Sequence, residues 1–322
     1  MDGTSMSRRR FLDLGFDAAA FTLATAAAPT AVFAQANGHK KRSTTATTGS
    51  AVHGLSMSVS VGAGVRSETW LNGILLARTE PGEIGAQSLA IQHDMMPGRN
   101  QAEVRIGLAG MNLEQPPAPI SGTLPAAATA RLVLQMDEPH RADDTVEITT
   151  RDVDQIVWPP ADEDGPVSLP HRLTLTFAPL SPVVAPPWAQ ATRDIPEGTA
   201  EAVYARMAEL AGMLRNGDLE AYENAGAVRR EHMARSYPLG PNAEAARAHD
   251  LQQIKMMYSE PGFTVTLLPR NNARFRTMAG GRLMDWTNVA GEGALTIASR
   301  GVLPSPVNMQ FSLIGGKLVM TR

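Results

Sequence analysis

The spacing of apolar residues changes twice along this chain, and each change rules out a single uniform architecture. From Leu55, Met57, Val59 and Val61 to Leu173, Leu175 and Phe177, apolar residues fall at every second position. That period sets one face of a β-strand on a core. From Val203, Met207, Leu210 and Leu214 as far as Tyr258 the interval lengthens to three or four, the stripe of a helix against a core. From Phe263 to the C-terminus the period is two again. The first change coincides with residues 179–199, where prolines at 179, 182, 186, 187 and 196 deny the backbone regular pairing.

These periods predict two folded regions. Residues 51–180 should form an antiparallel β-sandwich, because short alternating segments are separated by turn residues. Asn72-Gly73 can take the positive φ values of a two-residue hairpin turn, and Pro97-Gly98 marks another turn. Strands are expected at 130–136, 144–150, 155–158 and 171–177. Residues 181–196 are expected to be a linker, and 197–322 an α+β domain of three helices packed on an antiparallel meander. Thr199 is placed to cap the first helix and Asn216-Gly217 to stop it. Asp218 would open a second helix running to Ser236, and Pro241-Asn242 a third ending before Pro261-Gly262. The closing strands are expected at 263–268, 273–278, 282–288, 294–299, 307–314 and 317–322.

The N-terminus has a different character. Three arginines precede an alanine-rich apolar stretch from Phe11 to Phe33, broken by Asp13, Asp17 and Pro29, and Ala34-Gln35-Ala36 supplies a small-x-small cleavage site. Ser7-Arg8-Arg9-Arg10-Phe11-Leu12 resembles the S-R-R-x-F-L motif of twin-arginine (Tat) signal peptides, with Asp13 where that motif commonly has lysine. In this likeness Arg8, Arg9, Phe11 and Leu12 are the signal residues. The resemblance implies export of a folded chain by the Tat translocase, a periplasmic or secreted location, and no permanent membrane span after cleavage. Residues 1–36 are then the signal peptide and 37–50, polar and basic, a flexible leader.

Two weaker resemblances concern fold. "WLNGILLAR" followed by "PGRNQAEVRI" is similar to jelly-roll modules found beside glycosidase and carbohydrate-binding modules. The helices, "RNGDLEAY" at a helix junction and the closing "FSLIGGKLVMTR" resemble NTF2-like (SnoaL-like) or cystatin-like domains. The second likeness implies an apolar cone whose mouth would be lined by residues such as Tyr222, His232, Tyr258, Asp285 or Trp286, the ligand-pocket candidates.

Composition narrows the chemistry. The 322 residues contain no cysteine, which excludes disulfides, thiolate metal sites and thiol nucleophiles. A net charge of −3 gives no footprint for nucleic acid. The seven histidines fall in no HExxH or HxH spacing, so no metal site is expected. His93-Asp94 and His249-Asp250 are adjacent pairs, read as surface or cap groups. Three acids in Ala161–Gly165 lack the spacing of a calcium loop. No GxSxG, GxxxxGK[ST] or GxGxxG motif occurs, and no cofactor is expected. The expectation is an exported, non-catalytic binding or assembly protein of the cell envelope, its partner an unknown small molecule, glycan or protein. The alternative is a periplasmic hydrolase or lyase, acting on carbohydrate or a small hydrophobic molecule through a pocket in the C-terminal domain.

Overall fold

The structure, a computed structural model, describes residues 54–62, 64–83, 85–114, 120–124, 128–142, 145–159, 167–237, 241–300 and 302–322. The signal residues Arg8, Arg9, Phe11 and Leu12, the leader 37–50 and the acidic loop 161–165 lie outside these. The described chain is rich in β-structure, with several antiparallel sheets and four helices.

The N-terminal part holds β1 (Gly54–Val61), β2 (Arg66–Leu71), β3 (Ile74–Thr79), β4 (Gly85–Ala90), β5 (Asn100–Gly107), β6 (Ile120–Gly122), β7 (Ala130–Ala142), β8 (Thr145–Trp158), β9 (Val167–Leu169) and β10 (His171–Phe177). One sheet runs β4-β1-β7-β8 and another β10-β5-β2-β3, with β6 and β9 paired separately. The alternating residues Leu55, Met57, Val59 and Val61 of β1 are buried in one cluster with Val104 and Ile106 of β5 and Leu132 and Leu134 of β7. Both four-stranded sheets therefore enclose a common core.

The hairpin at Asn72-Gly73 forms as its sequence requires, with φ of 52° and 77°. Strand β8 differs from expectation, because 144–150 and 155–158 join into one strand of 14 residues. No glycine or proline interrupts Arg151–Asp154, and a bulge opposite Leu134/Gln135 absorbs the extra residue.

The C-terminal part begins with α1 (Thr199–Asn216), α2 (Leu219–Ala225), α3 (Ala227–Ser236) and α4 (Ala243–Ser259). Helix α1 buries Val203, Met207, Leu210, Ala211 and Leu214. At about 1.5–3 kcal/mol per buried large side chain, that stripe outweighs the ~1 kcal/mol that Gly212 costs within a helix. Gly217 ends it at φ 74°, and its N–H reaches back to Leu214 O. Thr199 does not cap α1. Gly198 occupies the cap position, and the Thr199 hydroxyl instead donates to Pro196 O at 2.7 Å. The segment expected as one helix over 218–236 is two, divided at Gly226, so the described helices number four rather than three.

The remaining strands are β11 (Thr264–Leu267), β12 (Arg274–Met278), β13 (Leu283–Thr287), β14 (Leu295–Ser299), β15 (Val302–Val307), β16 (Phe311–Ile314) and β17 (Lys317–Met320). They do not form one meander. Sheet β11-β14-β15 and sheet β12-β13-β16-β17 share the described strands, because β13 pairs with β16 and not along its length with β14. The expected strand 307–314 is interrupted at Asn308–Gln310. Strand β15, hidden in sequence by Pro304 and Pro306, lies at a sheet edge, where a residue without an N–H is tolerated. A second core gathers Val203 and Leu214 from α1, Ile254 from α4 and Trp286, Leu295 and Phe311 from the strands.

The proline-rich segment is not a loose tether. Pro187–Gln190 form a 3₁₀ turn that buries Trp188 between Ile74 of β3 and Met278 and Leu283 of the C-terminal part. Thr192 N donates to Leu313 O at 3.1 Å.

Candidate functional site

The polar residues that sequence could not place meet where the two parts touch. On the N-terminal side, the turn of β2–β3 organises a short loop: Asn72 Nδ2 donates to Asp94 O at 3.0 Å and to Asn100 Oδ1 at 2.8 Å. This fixes the 3₁₀ turn Gln92–Asp94, with Asp94 almost fully buried. On the C-terminal side, α3 presents His232, Ser236 and the following Tyr237.

His232 and Tyr237 each have a defined bond across the seam, and Ser236 contacts His232 within α3. His232 Nε2 lies 2.7 Å from His93 O, and His93 Nδ1 lies 2.8 Å from the Tyr237 hydroxyl. Arg322 Nε donates to Asp94 Oδ2 at 3.1 Å, and His93 Nε2 approaches the same oxygen at 3.5 Å. A carbonyl only accepts, so His232 carries its proton on Nε2. Its Nδ1, buried, has no hydrogen-bond partner among the described residues. Burial lowers the His232 pKa below the ordinary histidine value, only partly opposed by the bond to His93 O. Burial likewise pushes the Tyr237 hydroxyl up, and neighbouring Asp94 adds to this.

This cluster contains a serine, a histidine and an aspartate, so its capacity for nucleophilic chemistry can be tested by geometry. Ser236 Oγ lies 3.3 Å from His232 Nε2, the nitrogen whose hydrogen already points at His93 O. Such a nitrogen offers no lone pair to take the serine proton. Asp94 pairs with Arg322 rather than with His232. The arrangement holds two surfaces together.

A second polar contact lies along the same junction. Arg78 of β3 binds Glu68 Oε1 at 3.0 Å, Glu114 Oε1, and Ala290 O of the C-terminal part at 2.9 Å. Arg276 of β12 reaches the same Glu114 Oε1 at 2.7 Å and clasps Asp285 through two bonds, 3.0 and 2.5 Å. Burial works against the Arg276 cation, but its bonds to Asp285 and Glu114 outweigh this and raise its pKa. Burial also raises the Glu68 carboxyl, against the lowering effect of Arg78. Gly291, at φ 79°, is needed here because a Cβ would stand 2.3 Å from the Arg78 guanidinium.

The pocket candidates do not converge. Tyr222 is buried among the helices, where loss of solvent pushes its hydroxyl up to about 12. His232 lies in the seam. Asp285 is taken by Arg276, and Trp286 packs in the second core with its Nε1 donating to Ala200 O at 2.9 Å. Tyr258 alone of the five lines the open notch of about 520 Å³ at the end of α4, with Arg215, Glu260, Phe263 and Val265. Arg215 Nε there donates to Val265 O at 2.9 Å.

His93-Asp94, expected as surface or cap groups, are instead drawn into the junction, with Asp94 buried. Their partners Tyr237 and Arg322 lie 144 and 228 residues away, respectively. Among the described residues no group of three or more His, Asp or Glu is placed to hold a metal ion, and no helix is long and apolar enough to cross a membrane. Comparison with known protein families, with curated proteins and with solved structures finds no match to this chain.

Proposed function

We propose that this is an exported, non-catalytic binding or assembly protein of the cell envelope, carried out by the twin-arginine route and acting in the periplasm or outside the cell. The observation that carries the reading is the employment of its buried reactive groups. His93, Asp94, His232 and Tyr237 are engaged across the junction, where they fix two folded parts in one orientation. With these contacts closed, the two parts present their outer surfaces at a constant angle, which suits a protein that positions a partner. The export component rests on Ser7–Leu12, and a cysteine-free chain has no disulfide to form after crossing.

The finer fold reading belongs to the same proposal. A jelly-roll-like β-sandwich for the N-terminal part is supported by two four-stranded sheets around one core. An NTF2-like arrangement for the C-terminal part is supported by α1 packing on β11 and β13.

One observation favours a second reading. The notch beside Tyr258 combines a guanidinium, a carboxylate and two aromatic rings, Tyr258 and Phe263, whose centroids are 5.3 Å apart. Such a lining is the footing for the periplasmic hydrolase or lyase of the alternative.

Photo-crosslinking in cells separates the two. Strand β8 is a sheet edge exposed from Thr149 through Gln155, so a crosslinking residue at Val153 should give an adduct of defined mass in the envelope fraction. The same residue at exposed Val289 serves as the surface control. Equal labelling from both sites, or turnover of a glycoside or ester by the purified protein that Tyr258→Ala abolishes, would overturn the binding reading.

A further inference from the structure

Among the described residues, the junction between the two parts includes three contacts of different chemistry. One is apolar, around Trp188, Ile74, Met278 and Leu283. The second is the ionic chain through Arg78, Glu114 and Arg276. Neither contains a histidine. The third contact, His232 and Tyr237 against the Gln92–Asp94 turn, contains two imidazoles. We propose that this third contact is an acid-sensitive latch: protonation of His232 at Nδ1 releases α3 from the Gln92–Asp94 turn, and the two parts then hinge about the remaining contacts.

The geometry supplies the reason. With Nε2–H committed to His93 O, a second proton can enter only at Nδ1, which is buried and faces no acceptor among the described residues. A charged donor left buried without a partner disfavours the packed state. Relief from a neighbouring anion would require a free carboxylate. The 3₁₀ turn offers Asp94, already bound by Arg322 from the strand end after β17 and facing His93 Nε2. Helix α3 itself contributes Arg235, whose charge opposes a further cation, the neutral Ser236, and Arg229, Arg230 and Glu231; Arg230 is paired with Glu223 of α2, and α4 brings Asp250, with His249 beside it, against Arg229 and Arg230. From β7, Asp137 acts on Tyr237. The Pro187–Gln190 turn packed against α3 brings no titratable group.

The direction follows by linkage. An imidazole whose pKa is lower in the folded form contributes stability above the ordinary histidine value of 6.5, and that contribution is lost as the pH falls through the lowered value. The latch is therefore closed at neutral pH and opens on acidification.

The chain's lack of cysteine makes the motion directly measurable. Spin labels on Val228→Cys of α3 and Val153→Cys of β8, both exposed in the native protein, report the distance between the parts in the full chain. At pH 7.5 the distance distribution should be single and narrow, and at pH 5.0 a second, broader population should appear. His232→Gln keeps a donor for His93 O and removes the titration, so its distribution should stay narrow at both values. An unchanged wild-type distribution at pH 5.0 would overturn the proposal, and so would equal broadening in His232→Gln, which would assign the response to His93 or to general acid loosening. If His232→Gln does not fold, the NMR titration of the His232 ring in the wild type decides. It must track the distance change, and a titration at a different pH refutes the latch.

Discussion

Asp285→Asn tests whether Asp285 serves packing or chemistry. Asp285 and Arg276 form a buried two-bonded pair on adjacent strands, with side chains 7% and 10% exposed. Removing one member of such a pair costs roughly 3–5 kcal/mol, most of it the desolvation of the charge left behind. Arg276 keeps Glu114 at 2.7 Å, and Glu114 is itself partly open to solvent, so the stranded cation is not wholly uncompensated. The expected loss therefore falls at or just below the low end of that range, about 2–3 kcal/mol, because Asn retains one acceptor but no charge. Urea unfolding followed by tryptophan fluorescence measures it, since Trp286 is the next residue. Arg276→Met combined with Asp285→Leu should recover at least about 2 kcal/mol relative to the sum of the two single losses, because an apolar pair of similar volume leaves no orphan charge. A cost below about 0.5 kcal/mol for Asp285→Asn, or strict additivity in the double variant, would refute the structural assignment.

Two further predictions follow from backbone and hydroxyl geometry. Gly291→Ala should destabilise more than Gly315→Ala: both glycines have positive φ, worth about 1 kcal/mol of strain, but a Cβ at 291 also meets Arg78 while one at 315 meets nothing within 4 Å. Equal losses in thermal unfolding would show that the Arg78–Ala290 contact contributes little. Thr199→Ala should cost about 0.5–1.5 kcal/mol through the lost bond to Pro196 O, and Thr199→Ser should restore most of it; a serine variant no better than alanine in chemical denaturation would contradict that role.

Local chemistry made much of the fold readable. The hairpin at Asn72-Gly73 and the helix stop at Gly217 need positive φ, which the chain announces by residue type alone. The stripe Val203, Met207, Leu210 and Leu214 announces one buried face of α1 in the same way. Errors arose where long-range pairing overrode local pattern. Pro304 and Pro306 hide a strand that is permitted because it lies at an edge, and β13 takes β16 as its neighbour over a nearer strand. Thr199 looks like a cap, yet its hydroxyl found a better acceptor in the preceding turn.

By itself, then, the sequence determined the order of periods, the turns and the exclusion of cysteine chemistry, the first two of which depend on residues close together in the chain. Tertiary structure decided what the polar residues do. Asp94 and Arg322 are 228 residues apart, Arg276 and Glu114 162 apart, and a charge reads the same in sequence whether it is solvated or buried against a partner. Burial sets the worth of such a group, and burial exists only once distant segments have packed. That packing turned His232 from one name among several pocket candidates into a neutral imidazole with a fixed tautomer at the junction of two folded parts.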